Sequence, residues 1–261
     1  MAKSTVNLLD RLNRRVEEAE REALKLYRPL NDKAMRVHTS RAHELIVSGG
    51  KRAGKSTCVA AEVASRFCGI PVIGIDGQPI PLRWPASTED DPHTYWIIGI
   101  NTEHIGKTVH RLLFQKGQGG KLRAIRDLKT GEWRIYNKAN PEDEARHKET
   151  VRTSGMIPER MIPGPKAWAW KRARSHEFLS VRLTNGSVIY AFPSSARNPA
   201  MGDAVDGIWI NEDIENPEFI KEWQDRLNDT DGWLIWDAFP QMHNNAIGDL
   251  LDRAEEAADD E

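Results

Sequence analysis

Val47-Ser48-Gly49-Gly50-Lys51-Arg52-Ala53-Gly54-Lys55-Ser56-Thr57 is the stretch that decides the fold of this chain. Gly49, Gly54, Lys55 and Ser56 stand at the defining positions of the phosphate-binding pattern G-x-x-x-x-G-K-[S/T]. Its flanks have the right character. Leu45-Ile46-Val47 is a short apolar run that reads as a strand, and Cys58 to Phe67 has the i, i+3, i+4 apolar spacing of a helix. Strand, glycine turn and helix N-terminus together build an anion site, because backbone N–H groups and the helix dipole both face the anion. The spacing brings Lys55 to the β- and γ-phosphates and makes the Ser56 hydroxyl a Mg²⁺ ligand. The expected ligand is ATP with Mg²⁺, held by Gly49, Gly50, Lys51, Arg52, Ala53, Gly54, Lys55, Ser56 and Thr57. A chance glycine-rich turn carrying basic residues is the plain alternative.

Working outward, the segment from Thr5 to Tyr27 patterns as an amphipathic helix with Leu8, Leu9, Leu12, Val16, Ala19, Ala23 and Leu26 on one side. Pro29 ends it, and Lys33 to Glu44 reads as a second short helix leading into the loop strand. Beyond the loop helix, Ile70 to Pro85 is a proline- and glycine-rich excursion. Thr94 to Ile100 is a buried-strand candidate, followed by a helix from Thr102 to Phe114. Gly117 to Lys148 is polar with a strand at Trp133 to Tyr136, and Met156 to Pro165 is a proline-rich connection. Strands are expected at Glu177–Leu183 and Val188–Phe192, joined by an Asn185-Gly186 hairpin turn, and again at Gly207–Ile210 and Trp233–Trp236. Helices are expected at Glu218–Leu227 and Asn245–Glu256. This alternation predicts an α/β P-loop fold, a mostly parallel central sheet with helices on both faces, preceded by an N-terminal helical extension. The expected organisation is an extension over residues 1–40, a core over 41–244, and a C-terminal helix with an acidic tail over 245–261.

A chain of 261 residues with 39% hydrophobic and 29% charged residues has room for one sizeable domain. No apolar run approaches membrane-spanning length, and the N-terminus reads as a charged helix, not a signal peptide. Cys58 and Cys68 form no metal-ligand pattern and are expected as buried thiols in a reducing cytoplasm. The net charge of −2 conceals an asymmetry: Glu103 to Arg182 holds 18 Lys/Arg against 9 Asp/Glu, whereas Gly207 onward holds 3 against 16. A basic middle section suits a polyanion, and two solvated faces are the plain alternative. Trp168 and Trp170 with Lys171, Arg172 and Arg174 form the densest basic-aromatic cluster, read either as core or interface tryptophans or as a stacking platform for bases.

Hydrolysis requires carboxylates at the end of a strand beside the loop, one for Mg²⁺ and one to orient water. Ile208-Trp209-Ile210-Asn211-Glu212-Asp213 is read as the one apolar strand running straight into acids. Glu212 is the candidate general base and Asp213 an additional carboxylate. Asn211 stands where an Asp is expected, and a neutral amide gives Mg²⁺ no charge neutralisation. Three readings stay open: the outer shell of the metal accepts Asn211, Glu212 serves the metal while Asp213 serves the water, or the ATPase is weakened. Lys51 and Arg52 inside the loop could stabilise charge developing at the γ-phosphate, or face solvent.

Taken together, these segments resemble the large subunit of the viral terminase, the ATP-driven motor that packages double-stranded phage DNA. Tyr27-Arg28-Pro29-Leu30-Asn31-Asp32-Lys33 with Val37-His38-Thr39-Ser40 is similar to the family's adenine-side segment. The loop carries the family's internal basic residue. Ser194-Ser195, Met201 to Gly207 and Ile208 to Asp213 resemble its Walker B region, and Gly232 to Pro240 its coupling motif. The resemblance spans Tyr27 to Asn244. It departs at Lys33, where the family has Gln, at Asn211, and at Asp237-Ala238-Phe239, where Thr or Ser precedes the Pro. It implies catalytic roles for Glu212, Lys55, Arg52 and Lys51, and metal ligation by Ser56, Asn211, Glu212 and Asp213. It also implies double-stranded DNA, a portal protein and a small terminase subunit as partners, a homo-oligomeric ring, no membrane, and action in the host cell cytoplasm at the procapsid portal. The chain ends too soon for the family's nuclease domain, so no nuclease activity is expected. A small-molecule or nucleotide kinase, a helicase-like ATPase and a non-catalytic nucleotide-binding module are the alternatives.

Overall fold

The computed structural model describes residues 13, 16–50, 53–117, 122–195, 204–214, 218–238, 248 and 252. Residues 5–12, 14 and 15 of the expected N-terminal helix, Lys51 and Arg52 of the loop, the stretch 196–203, Phe239 to Asn244 and all but Gly248 and Asp252 of the expected C-terminal helix lie outside these residues.

The strands are β1 (Glu44–Ser48), β2 (Thr94–Gly99), β3 (Arg123–Arg126), β4 (Trp133–Ile135) and β5 (Val151–Arg152), then β6 (Trp168–Arg172), β7 (Glu177–Arg182), β8 (Val188–Pro193), β9 (Gly207–Asn211) and β10 (Trp233–Ala238). Seven of them form one sheet in the order β1-β10-β9-β2-β8-β7-β6. The first five are mutually parallel, and β7 and β6 continue the sheet antiparallel. The parallel strands are covered on both faces, which is why they read as unbroken apolar runs. Alternation along them feeds two cores. Tyr95, Ile97, Trp209, Trp233 and Ile235 face one cluster, whereas Trp96, Ile98, Ile208, Ile210, Leu234 and Trp236 face the other. Each such fully buried side chain contributes about 1.5–3 kcal/mol.

Helices α1 (Ala23–Leu26) and α2 (Asp32–Thr39) precede β1. The loop helix α3 (Lys55–Cys68) packs Val59, Val63 and Phe67 on the first core. After β2 come α4 (Thr102–His104), a π-helical turn (Ile105–Val109) and α5 (His110–Leu113). Then follow α6 (Pro141–Ala145) and α7 (Phe219–Asn228), whose Ile220, Trp223 and Leu227 cover the second core.

Three expectations need correction. The N-terminal helix is not continuous: residues 16–20 are helical, Glu22 is extended (ψ 127°), and only one turn resumes at Ala23. Glu22 is buried against Arg160, which donates to both carboxylate oxygens at 2.7 and 3.2 Å, and the Ala23 N–H donates to Ser154 Oγ. These distant partners override local helix propensity, and Val16, expected on the apolar side, is exposed. The polar middle section also holds more strand than expected, a small antiparallel sheet in the order β4-β3-β5. It is pinned by Arg134, which grips buried Asp143 at 2.7 and 2.6 Å. Finally, Trp168 and Trp170 lie on an additional edge strand. They stack with centroids 4.6 Å apart, half-buried, and the Trp168 ring packs against Phe114 and Phe178.

Candidate active site

β1 runs straight into the glycine loop. The Ala53 N–H donates to the Gly50 carbonyl, and Gly54 caps α3 in the left-handed region at φ 80°. That positive φ calls for glycine there, whereas the nearest neighbour of an added Cβ, the Leu30 Cδ1 methyl at 2.9 Å, ends an exposed side chain that can move aside. No side chain caps α3. The first N–H groups of a helix have no intrahelical acceptor, so the turn holding Lys55, Ser56 and Thr57 is an open donor cradle.

Sheet order then decides what faces the loop. Among the described strands the neighbour of β1 is not β9, whose end leads into Glu212, but β10. Val47 of β1 pairs with Asp237, which pairs in turn with Asn211, and Asn211 with Gly99 of β2. The C-terminal ends of four parallel strands therefore lie side by side, where α/β sheets bind their ligands. Lys55 Nζ reaches this edge and donates to the Ala238 carbonyl at 2.5 Å.

Asp237 is wholly buried. Its Oδ1 accepts from Trp209 Nε1 at 2.9 Å and Asn211 Nδ2 at 2.8 Å, and Oδ2 accepts from the same amide at 3.1 Å. Burial pushes this carboxyl up to about 6 against those hydrogen bonds and the nearby Lys55 charge. Asn211 Oδ1 accepts from His104 Nε2 at 2.7 Å, which requires the proton on that nitrogen. The sequence reading missed both Asp237 and His104. The signal for Asp237 was visible: Trp233-Leu234-Ile235-Trp236-Asp237 is a second apolar run leading into a carboxylate, so Ile208 to Glu212 was not unique.

Glu212 and Asp213 follow β9, both half-buried. Glu212 adopts φ 68°, a left-handed conformation uncommon outside glycine. Two bonds hold it there: its N–H donates to the Asp237 carbonyl at 3.0 Å, and its carbonyl accepts from Trp236 Nε1 at 2.7 Å. Backbone strain of this kind concentrates at functional positions.

A hard divalent cation fits the chemistry of these donors. Ser56 offers a hydroxyl, and Glu212, Asp213 and Asp237 offer carboxylates, the oxygen donors that Mg²⁺ takes. No group of three or more His, Cys, Asp or Glu side chains able to hold a metal by themselves occurs among the described residues. With a nucleotide, Mg²⁺ takes one or two carboxylates plus phosphate oxygens.

A cavity of about 960 Å³ opens over the loop. Gly49, Gly50, Ala53, Gly54, Lys55 and Thr57 form its floor. Tyr27, Arg28, Leu30 and Lys33 form one wall, and Trp133, Ile135 and Tyr136 of the small sheet form the other. Behind the first wall a buried network ties α2 to α3. His38 Nδ1 donates to Glu62 at 2.7 Å, His38 Nε2 meets Tyr27 Oη at 3.1 Å, and Arg66 donates to Glu62 at 2.7 Å. Burial opposes the His38 charge, but hydrogen bonds to Cys58 and Glu62 and the Glu62 charge lift its pKa to about 9. Cys58 and Cys68 are buried free thiols, as expected. No helix among the described residues is long and apolar enough to cross a membrane.

A parallel sheet whose first strand opens through a glycine loop into a helix N-terminus, with a lysine and acids at adjoining strand ends, defines the P-loop class of α/β domains. No protein-family model matches the chain, and no curated protein does. Several solved phage large terminases are similar to it. The ATPase domain of the Thermus phage P74-26 large terminase is 14% identical, over 85% of this chain and 69% of that one, with a TM-score of 0.41. The large terminase of bacteriophage HK97 is 11% identical over 87% of this chain and 35% of that one, TM-score 0.44. The large terminase of a thermophilic bacteriophage, solved in complex with ADP, is 12% identical over 81% of this chain and 39% of that one, TM-score 0.33. This chain thus spans little more than a third of the HK97 protein and of the ADP-bound one. At such identities the likeness assigns no residue roles.

Proposed function

We propose that this chain is the ATPase motor domain of a phage DNA-packaging terminase. The observation that carries the nucleotide reading is that the glycine loop and Lys55 line a cavity of nucleotide size, while Lys55 also reaches the sheet edge where the acid-bearing ends of β9 and β10 lie side by side. In this reading Gly49, Gly50, Ala53 and Gly54 present backbone donors to the triphosphate, with Lys55 on the β- and γ-oxygens and Thr57 at the first turn of α3. Ser56, with the Asn211, Glu212 and Asp213 cluster, is the side that faces Mg²⁺. Bound Mg²⁺ neutralises charge on the phosphates. Glu212 orients the attacking water and takes its proton as the water oxygen bonds to the γ-phosphorus and the bond to the β–γ bridging oxygen breaks, releasing ADP and phosphate. Lys51 and Arg52 are assigned to the charge developing on the γ-phosphate.

The motor reading adds double-stranded DNA as the polyanion for the basic section between Lys107 and Arg182, where Lys171 and Arg172 are exposed on edge strand β6. It further assigns a portal protein and a small terminase subunit as partners, assembly as a homo-oligomeric ring, and action in the host cytoplasm at the procapsid portal. Steady-state ATP hydrolysis with Mg²⁺, measured with and without double-stranded DNA beside Glu212→Ala, tests it. Turnover that DNA stimulates and Glu212→Ala abolishes is expected. Phosphate transfer to a small acceptor in place of water would overturn it.

A further inference from the structure

The end of β9 presents an amide where hydrolysis calls for a carboxylate, and the neighbouring strand presents a carboxylate at the same level. Asn211 and Asp237 are register partners across β9 and β10, and neither is exposed. The Asn211 side chain is engaged at both ends: its carbonyl oxygen takes the His104 N–H, and its amide nitrogen donates to both Asp237 oxygens. An Asp at 211 would set two carboxylates 2.8–3.1 Å apart in a dry site, where both cannot ionise. The pair therefore has room for one negative charge, and that charge sits on β10. It is also the better placed of the two. Asp237 lies between Val47 of the loop strand and Asn211, and the next residue, Ala238, pairs with Ser48 and its carbonyl accepts a hydrogen bond from Lys55 Nζ.

We infer that Asp237 is the carboxylate that faces the nucleotide-bound cation in this chain, one strand nearer the loop than the Asn211 position, with Asn211 and His104 as the residues that position it. Two donors, Trp209 Nε1 and Asn211 Nδ2, already make three hydrogen bonds to its oxygens, so it meets the cation through metal-bound water, where a carboxylate acts as charge and hydrogen-bond acceptor. Asn211 then serves the site as a donor. This rests on the nucleotide reading above.

The test is calorimetric binding of ADP, once with Mn²⁺ and once in EDTA, to the wild-type chain and to Asp237→Asn. Asp237→Asn is expected to weaken Mn²⁺–ADP binding by about 10–100-fold, the usual effect of removing an outer-shell partner of a metal site. It leaves metal-free ADP binding unchanged, because loop amides and Lys55 hold the phosphates. His104→Gln is expected to give a smaller loss in the Mn²⁺ arm alone. Equal Mn²⁺–ADP affinity in wild type and Asp237→Asn would overturn the inference while leaving the nucleotide reading intact. A wild-type chain that binds ADP in neither arm would overturn both. Should Asp237→Asn fail to fold, Asp237→Glu is read in the same two titrations: loss confined to the Mn²⁺ arm supports the inference, and no change in either arm overturns it.

Discussion

The His38–Glu62–Arg66 network makes stability depend on pH in a way that can be worked out in advance. His38 is buried, and its imidazolium persists in the folded chain up to a pKa of about 9, whereas the unfolded side chain titrates near its ordinary 6.5. Below pH 6.5 both states carry the proton and the full stabilisation is present. Between 6.5 and 9 only the folded state keeps it, so unfolding releases a proton and stability falls as pH rises. The slope is about 1.4 kcal/mol per pH unit, which over this window amounts to about 3 kcal/mol. Urea unfolding followed by tryptophan fluorescence at pH 6, 7.5 and 9.5, on wild type and His38→Gln, reads this directly. The wild-type advantage over the variant is expected to shrink by about 3 kcal/mol across the series. Cys68, whose thiol burial pushes up, also disfavours high pH, but equally in both proteins, so the difference isolates His38. A wild-type advantage that stays constant from pH 6 to 9.5 would refute the reasoning.

Other perturbations test the sheet edge. At Gly207→Ala the new Cβ would lie 2.2 Å from the Trp233 ring, itself wedged against Phe67 and Tyr95, so a loss of about 1–3 kcal/mol is expected in thermal or urea unfolding; an unshifted midpoint would show that the ring can move. Trp209→Phe removes the 2.9 Å donor to Asp237 and should cost about 1.5–3 kcal/mol at pH 8. Asp237 titrates near 6, so that loss should diminish at pH 5, and equal losses at both pH values would contradict it. Glu212→Gly should be more stable than Glu212→Ala by about 1 kcal/mol, since only glycine adopts φ 68° freely. Identical unfolding midpoints for those two variants would remove the argument for strain.

Local signals carried much of the fold. The loop, α3 and the apolar runs of β1, β2, β8, β9 and β10 are each long enough to speak for themselves, and the Asn185-Gly186 turn marks its own hairpin. What escaped was set by distant partners. Nothing near Glu22 predicts a break in the helix, because Arg160 and Ser154 impose it from more than a hundred positions away. β3 and β5 hold only four and two residues, too short for alternation to register, although the strand expected at Trp133 is there as β4. The candidate site shows the same division. Gly49 to Ser56 follow from a motif, as does Glu212 from the apolar strand before it. Asp237 and His104 belong to the site only because β10 inserts beside β1 and because β2 delivers the turn after it next to Asn211. Parallel pairing order is not written in any window of residues.

That insertion has a consequence for how the chain is made. β10 comes last of the ten strands, yet it is the strand that pairs with β1, which forms the sheet edge among the described strands. A nascent chain emerging from the ribosome therefore holds its glycine loop on an unpaired strand until residues 233–238 have been synthesised, nearly two hundred positions later. Contacts this far apart in sequence form late. Ligand affinity would thus arise only once residues 233–238 have joined the sheet, and a product terminated before them would expose a bare strand edge, a feature that invites aggregation and so clearance.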